Sequence, residues 1–305
     1  MHIQDQARKE SFSQGGEGTS STVASVPKFV SLCAKILHIH DSTLVTHAPS
    51  ATTRPDYLEW QNLEWCRIER CPRVESVFTA STVAKSSEYR LRTFWASHLP
   101  KARCIWELGE HYDVYDCTFP HLTFLHLDCC PRLRHVLPLS WAIISLSQLK
   151  TLEITWCGDL QEVFPLDFDA KNYAERQPQP VVLDFPSLKR IHLHELPSLR
   201  RICGVRMSTP NLETLKIRGC WSLRRLPDVS GSGKVVECDC EKEWWDKLEW
   251  DDGSQASRYK PIHSRYYKKT FLRTTVLRSS LSPTFLSIQC SASRFYNILC
   301  MIFYL

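Results

Sequence analysis

The sequence predicts an α/β solenoid with a curved parallel β-sheet on its concave side and irregular or short helical segments on its convex side. A segment of about seventeen residues recurs six times in one frame, and the copies start at residues 62, 90, 121, 148, 187 and 211. Each copy alternates apolar and polar residues over the length of a short strand. One such unit cannot bury its own apolar face, so the units must stack and place their strands side by side.

The copy at residues 211–227, NLETLKIRGCWSLRRLP, shows why each unit holds a strand and then a turn. Leu215 and Ile217 alternate with polar residues, which is the pattern of a half-buried strand. Cysteine or leucine follows the strand, and in four copies the next residue is proline, which cannot continue a β ladder. Leu223 and Leu226 suit a short helical or irregular return. Six amphipathic helices do not fit, because the apolar residues of the strand do not share one helical face.

The repeats divide the chain into three parts. Residues 1–28 are polar and are predicted to be disordered. Residues 29–250 form the repeat domain, with a weaker seventh copy near residues 34–41 and a terminal cap at about 238–250. Residues 251–305, first basic and then apolar, are predicted to be a poorly ordered tail.

Composition and charge favour a protein partner over nucleic acid or a membrane. The chain carries 38 basic and 33 acidic residues, and eight of the basic ones follow residue 254, so the body has a net charge of only −3. That near-neutral body does not favour nucleic acid as the main partner. The apolar run at residues 295–305 is shorter than the roughly 20 residues of a spanning helix, so no transmembrane segment is expected. Fourteen scattered cysteines without a signal peptide indicate a reducing compartment, and we expect the cytoplasm.

The repeated pattern resembles a leucine-rich repeat, with cysteine where asparagine often stands. Two kinds of repeat alternate, one ending in cysteine at Cys71, Cys130, Cys157 and Cys220 and one ending in Leu-Pro at Leu99 and Leu196. This alternation is similar to plant intracellular immune receptors, which carry a coiled coil, a nucleotide-binding domain and a C-terminal repeat array. Residues 240–252 and 263–269 resemble the ends of grass members of that family. The resemblance implies a non-enzymatic recognition region in plant defense that binds a pathogen effector, a guarded host protein or the receptor's own switch domain.

No segment predicts a cofactor or an active site. The sequence at 228–236, DVSGSGKVV, lacks the first glycine and the hydroxyl residue of a phosphate loop, so we expect neither a nucleotide cofactor nor the nucleotide-binding domain. No G-x-S-x-G nucleophile motif occurs, and we predict neither an enzyme nor a small-molecule substrate. The repeated cysteines come from different repeats, so we interpret them as small buried residues that fill the turn. His192 and His194 share one face of a strand without an evident third ligand, and no metal site is predicted.

The frame also names the side chains that point out of the sheet. The predicted protein-binding set comprises Trp65, Arg67, Arg70, Trp95, His98, Phe124, His126, Glu153, Trp156, Arg190, His192, His194, Lys216 and Arg218. Its aromatic and arginine residues are typical interface anchors. Another interpretation is that Trp65, Trp95 and Trp156 pack on the neighbouring repeats. Six strands offer a strip on the order of 400 Å², which predicts weak binding by the array alone.

Two other functions fit the same repeats. A generic leucine-rich-repeat adaptor of the ubiquitin-ligase type would present protein targets through the same face. The chain could also be a non-functional truncated fragment of a receptor. Both alternatives remain open at the level of sequence.

Overall fold

A ten-stranded parallel β-sheet dominates the structure. The structure is a computed structural model, and it describes residues 2–3, 33–46, 62–79, 90–107, 119–140, 142, 146–167, 171, 181–229, 233–250 and 253–263. The strands of this sheet are β1 (His2–Ile3), β2 (Ile36–His40), β3 (Trp65–Glu69), β5 (Thr93–Ser97), β7 (Phe124–Asp128), β8 (Thr151–Thr155), β11 (Arg190–His194), β14 (Thr214–Arg218), β15 (Val236–Asp239) and β16 (Tyr259–Ile262). They lie side by side in chain order. The predicted leucine-rich-repeat solenoid is confirmed.

Every predicted repeat supplies one strand to this sheet, and the weaker seventh copy supplies β2. Neighbouring strands pair in phase, so that equivalent residues of successive repeats stand next to each other. In the five-residue strands of this sheet the second and fourth side chains point inward, as Leu215 and Ile217 do with no exposed surface. Burying such a side chain contributes about 1.5–3 kcal/mol, and the stacked repeats therefore share one continuous core.

A left-handed residue follows each of the seven five-residue strands of the sheet. These residues are Asp41, Arg70, His98, Cys129, Trp156 and Glu195, with φ between 51° and 56°, and Gly219 with φ of 65°. In each of the first six the backbone N–H donates to the carbonyl of the last residue of the following strand, at 2.8–3.1 Å. A non-glycine residue in this conformation costs about 1–2 kcal/mol, which the hydrogen bond between repeats helps to offset.

The cysteines of the turns are buried structural residues, as predicted. Cys71, Cys130, Cys157 and Cys220 have no exposed surface. Each thiol donates to the backbone carbonyl two residues earlier, with sulfur–oxygen distances of 3.3–3.5 Å. Burial raises the pKa of Cys220 to about 12, so its thiol stays protonated at neutral pH. Cysteine suits this position because it is small and carries a weak donor.

The return segments form short strands as well as irregular structure. Their strands are β4 (Ser76–Thr79), β6 (Cys104–Glu107), β9 (Glu162–Phe164), β10 (Val182–Asp184), β12 (Arg201–Cys203) and β13 (Arg206–Ser208). They pair in parallel as β4 with β6, β9 with β12 and β10 with β13. The convex side thus uses pairs of strands from neighbouring repeats where we expected irregular or short helical segments.

The C-terminal end of the solenoid is closed by tryptophan and tyrosine. Helix α1 (Lys242–Trp245) buries Trp244 completely, and its indole N–H donates to the carbonyl of Leu223 at 3.0 Å. Helix α2 (Gly253–Ala256) leads into β16. The hydroxyl of Tyr259 in β16 donates to the carbonyl of Pro227 at 2.7 Å, and burial raises its pKa.

Strand β16 corrects the predicted tail. Residues 253–263 belong to the solenoid, because β16 pairs with β15 along four residues and buries Tyr259. At the other end, β1 pairs with β2 inside the segment predicted to be disordered. The rest of both predictions falls on residues 1, 4–28, 251–252 and 264–305, which lie outside the described residues. Within the described part of the chain, no helix is long and apolar enough to cross a membrane.

Candidate protein-recognition face

All fourteen predicted binding residues lie on one side of the main sheet. We call this side the open face, and in the five-residue strands it consists of the first, third and fifth side chains and of the left-handed residue that follows. Trp65, Phe124 and Arg190 hold first positions, Arg67, Trp95, His126, Glu153, His192 and Lys216 third positions, His194 and Arg218 fifth positions, and Arg70, His98 and Trp156 the left-handed positions. Alternation along a strand places these side chains opposite the core.

The third-position residues form a continuous row across six strands. Near its middle, the ring of His126 stacks on the indole of Trp95, with 3.7 Å between the ring centroids. Arg67, on the preceding strand, places its guanidinium over the Trp95 ring, 5.0 Å from the ring centroid. This is a favourable cation–π contact. Trp95 is therefore held by its neighbours, as the packing interpretation of the tryptophans proposed.

Glu153 joins two histidines of the same row. Its two carboxylate oxygens each lie 3.0 Å from a histidine Nδ1, one of His126 and the other of His192. These hydrogen bonds outweigh desolvation and lower the pKa of Glu153 to about 2. The carboxylate thus stays charged and fixes both imidazole rings on the face.

A second ion-pair cluster holds the arginines at the N-terminal end of the face. Arg67 donates to one oxygen of Glu69 through Nε at 3.1 Å and Nη2 at 2.7 Å, and His38 Nε2 lies 2.9 Å from the other oxygen. Desolvation of Glu69 acts against ionisation, but these hydrogen bonds outweigh it and bring its pKa to about 2. Arg70 makes a two-pronged contact with Asp41, with distances of 2.6 and 2.8 Å, and lowers the pKa of that carboxyl.

The acidic and histidine partners in that cluster are absent from the predicted binding set. The signal was present in the weaker copy, whose HIHD segment at residues 38–41 aligns with RIER at residues 67–70. Register pairs His38 directly with Arg67 on the neighbouring strand. An alignment of charges between adjacent repeats would have found the pairs.

Two of the predicted solvent-facing residues are buried, and this corrects their expected exposure. His194 is only 5% exposed, because the ring of Trp156 lies edge-on against it with 5.7 Å between centroids. Arg218 is 8% exposed and forms an ion pair with Asp239 of β15. Burial, followed by the charge of Arg218, lowers the pKa of His194 to about 4. His194 is therefore neutral at pH 7 and supports Trp156 from below.

The open face has exposed residues towards both ends: Arg70 and His98 in the turns after β3 and β5, and three more at β8, β11 and β14. Trp156 is 40% exposed, and Arg190 and Lys216 are exposed on the next two strands. His192, the third-position residue of β11, is half-buried. At the other end, Trp65 is half-buried, with the ring of His38 edge-on against it, and Phe124 lies parallel to His126 at 6.3 Å. Trp156 is thus the most accessible of the three tryptophans.

This fold and face define a leucine-rich-repeat protein. Residues 105–232 match the family described as plant disease resistance protein RPS2-like, leucine-rich repeats. The leucine-rich-repeat region of the chain is homologous to that of plant disease resistance proteins.

Three relatives from Arabidopsis thaliana illustrate the similarity. The chain is 31% identical over 158 residues to the probable disease resistance protein At5g63020, and the aligned region covers 50% of this chain and 16% of the relative. It is 30% identical over 141 residues to the disease resistance protein At4g27190, covering 46% and 13%. It is 26% identical over 156 residues to the disease resistance protein RPS5, covering 50% and 16%. The match therefore spans less than a fifth of the length of these relatives.

Proposed function

We propose that the chain is the protein-recognition region of a plant immune receptor and that it acts in defense without catalysing a reaction. Its partner is a pathogen effector, a guarded host protein or the receptor's own nucleotide-binding switch domain. The homology to disease resistance proteins supports this class. The resemblance of residues 240–252 to grass members supports a coiled-coil receptor of that group, and a cytoplasmic location follows from the same resemblance.

The observation that carries the proposal is the exposed tryptophan on a supported face. Trp156 is exposed and does not belong to the core of the repeats. Its backbone nevertheless holds a left-handed conformation, and its ring rests against His194. Exposed Arg190 and Lys216 flank it on the following strands. Tryptophan and arginine are the residue types that dominate binding energy at protein interfaces. The ion pairs of Glu153 and Glu69 hold the surrounding side chains in place, which lowers the entropic cost of binding.

The size of the face sets what a partner must contact. Ten strands at about 4.8 Å spacing and about 13 Å of length give an area on the order of 550 Å². A standard interface buries about 800 Å² on each partner. A stable complex therefore also needs the residues of the turns that border the sheet.

A capture experiment with matched tryptophan variants tests the proposal. The full chain, Trp156→Ala and Trp221→Ala are immobilised, and proteins retained from a plant cell extract are quantified by mass spectrometry. Trp221 is a suitable control because it is 45% exposed but lies in the turn beyond the sheet. We expect Trp156→Ala to retain at least tenfold less partner protein than the wild type, and Trp221→Ala to retain the same amount as the wild type. Equal retention by all three proteins would contradict the proposed face.

The receptor assignment has a separate test. The genomic sequence upstream of the first codon is determined and translated. A reading frame that encodes a nucleotide-binding module supports the receptor, whereas a docking motif of a degradation adaptor contradicts it. The capture experiment can succeed in either case, so the face and the class of protein are tested independently.

A further inference from the structure

Two neighbouring turns bring three metal-ligand side chains together at the rim of the sheet. His98 follows β5, Asp128 is the last residue of β7, and Cys129 comes directly after it. A ring nitrogen, a carboxylate oxygen and the sulfur of these residues all lie within 4.8 Å of one another. Among the residues that the structure describes, no other group of three histidine, cysteine or acidic side chains meets this distance.

The backbone of both turns fixes the ligands before any ion binds. His98 and Cys129 occupy equivalent left-handed positions, with φ of 53° and 52°. The N–H of His98 donates to the carbonyl of Asp128 at 2.9 Å, and the N–H of Cys129 donates to that of Thr155 at 3.0 Å. The first hydrogen bond ties His98 directly to the residue that supplies the second ligand.

Thr155 orients the carboxylate from the next strand. Its hydroxyl donates to Oδ1 of Asp128 at 2.6 Å, and the thiol of Cys129 approaches the same oxygen at 3.5 Å. A hydrogen bond from a neighbouring residue to a ligating carboxylate is a common support of metal sites. The sulfur and the carboxylate are thus already adjacent, and exposed His98 leaves the site open to solvent.

We propose that His98, Asp128 and Cys129 bind one divalent transition-metal ion, with zinc the best match. Nitrogen, oxygen and sulfur donors are the ligands of protein zinc sites. Ligand atoms of a tetrahedral zinc ion are roughly 3.3–3.7 Å apart, so small side-chain rotations close the site. Three protein ligands leave the fourth position for water. The ion binds the thiolate of Cys129, and the thiol proton is released to solvent.

The inference does not depend on the proposed function, because the isolated chain should bind the ion. A bound metal ion would also connect two neighbouring repeats through their turns at the rim of the open face. An occupied site would also fix His98, which belongs to the predicted binding set.

Cobalt(II) titration of the full chain tests the site, because a thiolate bound to cobalt gives a charge-transfer absorption band. We expect a band that saturates at one equivalent of cobalt and disappears when zinc is added. Cys33→Ser, which removes a thiol on the exposed surface, should keep the band. Cys129→Ser should lose it, and His98→Gln should weaken binding at least tenfold.

Thermal unfolding of the same proteins supplies a second readout. Zinc should raise the Tm of the wild type and of Cys33→Ser and leave that of Cys129→Ser unchanged. We expect position 129 to tolerate substitution, because the equivalent left-handed positions hold residues as different as Arg70 and Trp156. A wild type without the cobalt band, or a Cys129→Ser protein that keeps it, overturns the proposal.

Discussion

The imidazole of His126 lies flat against the indole of Trp95, with centroids 3.7 Å apart and planes 25° from parallel. On its far side the same imidazole is hydrogen-bonded to Glu153. A charged residue on one strand thereby holds an aromatic pair on the two strands before it. The open face is consequently a surface whose side chains depend on one another across repeats.

Replacing Glu153 should weaken the solenoid in a pH-dependent way. Its pKa is about 2 in the folded chain against an ordinary 4.5, so its stabilising contribution is complete above pH 4.5 and is lost as the pH falls to 2. Allowing for solvent screening, Glu153→Gln should lower the free energy of unfolding by about 1–2 kcal/mol at pH 7. Urea unfolding at pH 7 and pH 3 measures this. Glu213→Gln, which changes an exposed carboxylate paired with Lys189, should change little; an equal loss in both variants would contradict the account.

The buried His194 should produce a separate pH effect. Its folded pKa of about 4 lies below its ordinary 6.5, because burial and the charge of Arg218 outweigh the opposite effect of Asp128. The unfolded chain therefore takes up a proton first, and stability is lost as the pH falls from 6.5 to 4. The loss should reach about 2–3 kcal/mol. In His194→Gln the slope of unfolding free energy against pH should decrease in this window, and an unchanged slope would contradict the account.

Alanine should be poorly tolerated at Gly219. The residue has φ of +65°, and an added Cβ would lie 2.8 Å from the carboxylate carbon of Glu195. We expect Gly219→Ala to lower the free energy of unfolding by about 1–3 kcal/mol. Gly158→Ala is the matched control, because the nearest atom to its Cβ is 4.0 Å away.

A double variant separates the two causes of that loss. Adding Glu195→Ala to Gly219→Ala removes the contact with the carboxylate but leaves the left-handed backbone. The double variant should therefore recover part of the stability relative to Gly219→Ala. Full recovery would show that the backbone conformation costs nothing at this position.

The terminal cap should depend on the indole N–H of Trp244. Trp244→Phe keeps a large apolar ring but leaves the buried carbonyl of Leu223 without its 3.0 Å hydrogen bond. The expected loss is about 1–3 kcal/mol, measured by chemical unfolding. Trp245→Phe, at a partly buried neighbouring position, should lose less than half as much. If both variants lose the same amount, ring size and not the hydrogen bond supports the cap.

The sequence predicted strands β2, β3, β5, β7, β8, β11 and β14 and their two faces because both follow from local patterns. Alternation placed Leu215 and Ile217 in the core. The same order of apolar residues within every copy aligned the repeats. Strand β16 escaped prediction because its four residues, with Pro261 among them, do not match the repeat frame. The burial of His194 could not be predicted either, since it depends on the side chain of Trp156 and not on the position of His194 in its own strand.

The hydrogen bond from each of the six non-glycine left-handed residues to the next repeat has a consequence for how such a chain changes in length. The turn amide of one repeat is satisfied by the carbonyl of its successor, so no unit completes its own backbone bonding. Adding or deleting one whole unit preserves every such bond except at the new junction, where an equivalent one forms. Loss of half a unit leaves a donor and an acceptor without partners on either side. Gene duplication and recombination can thus lengthen or shorten the open face only in whole repeats, one strand at a time.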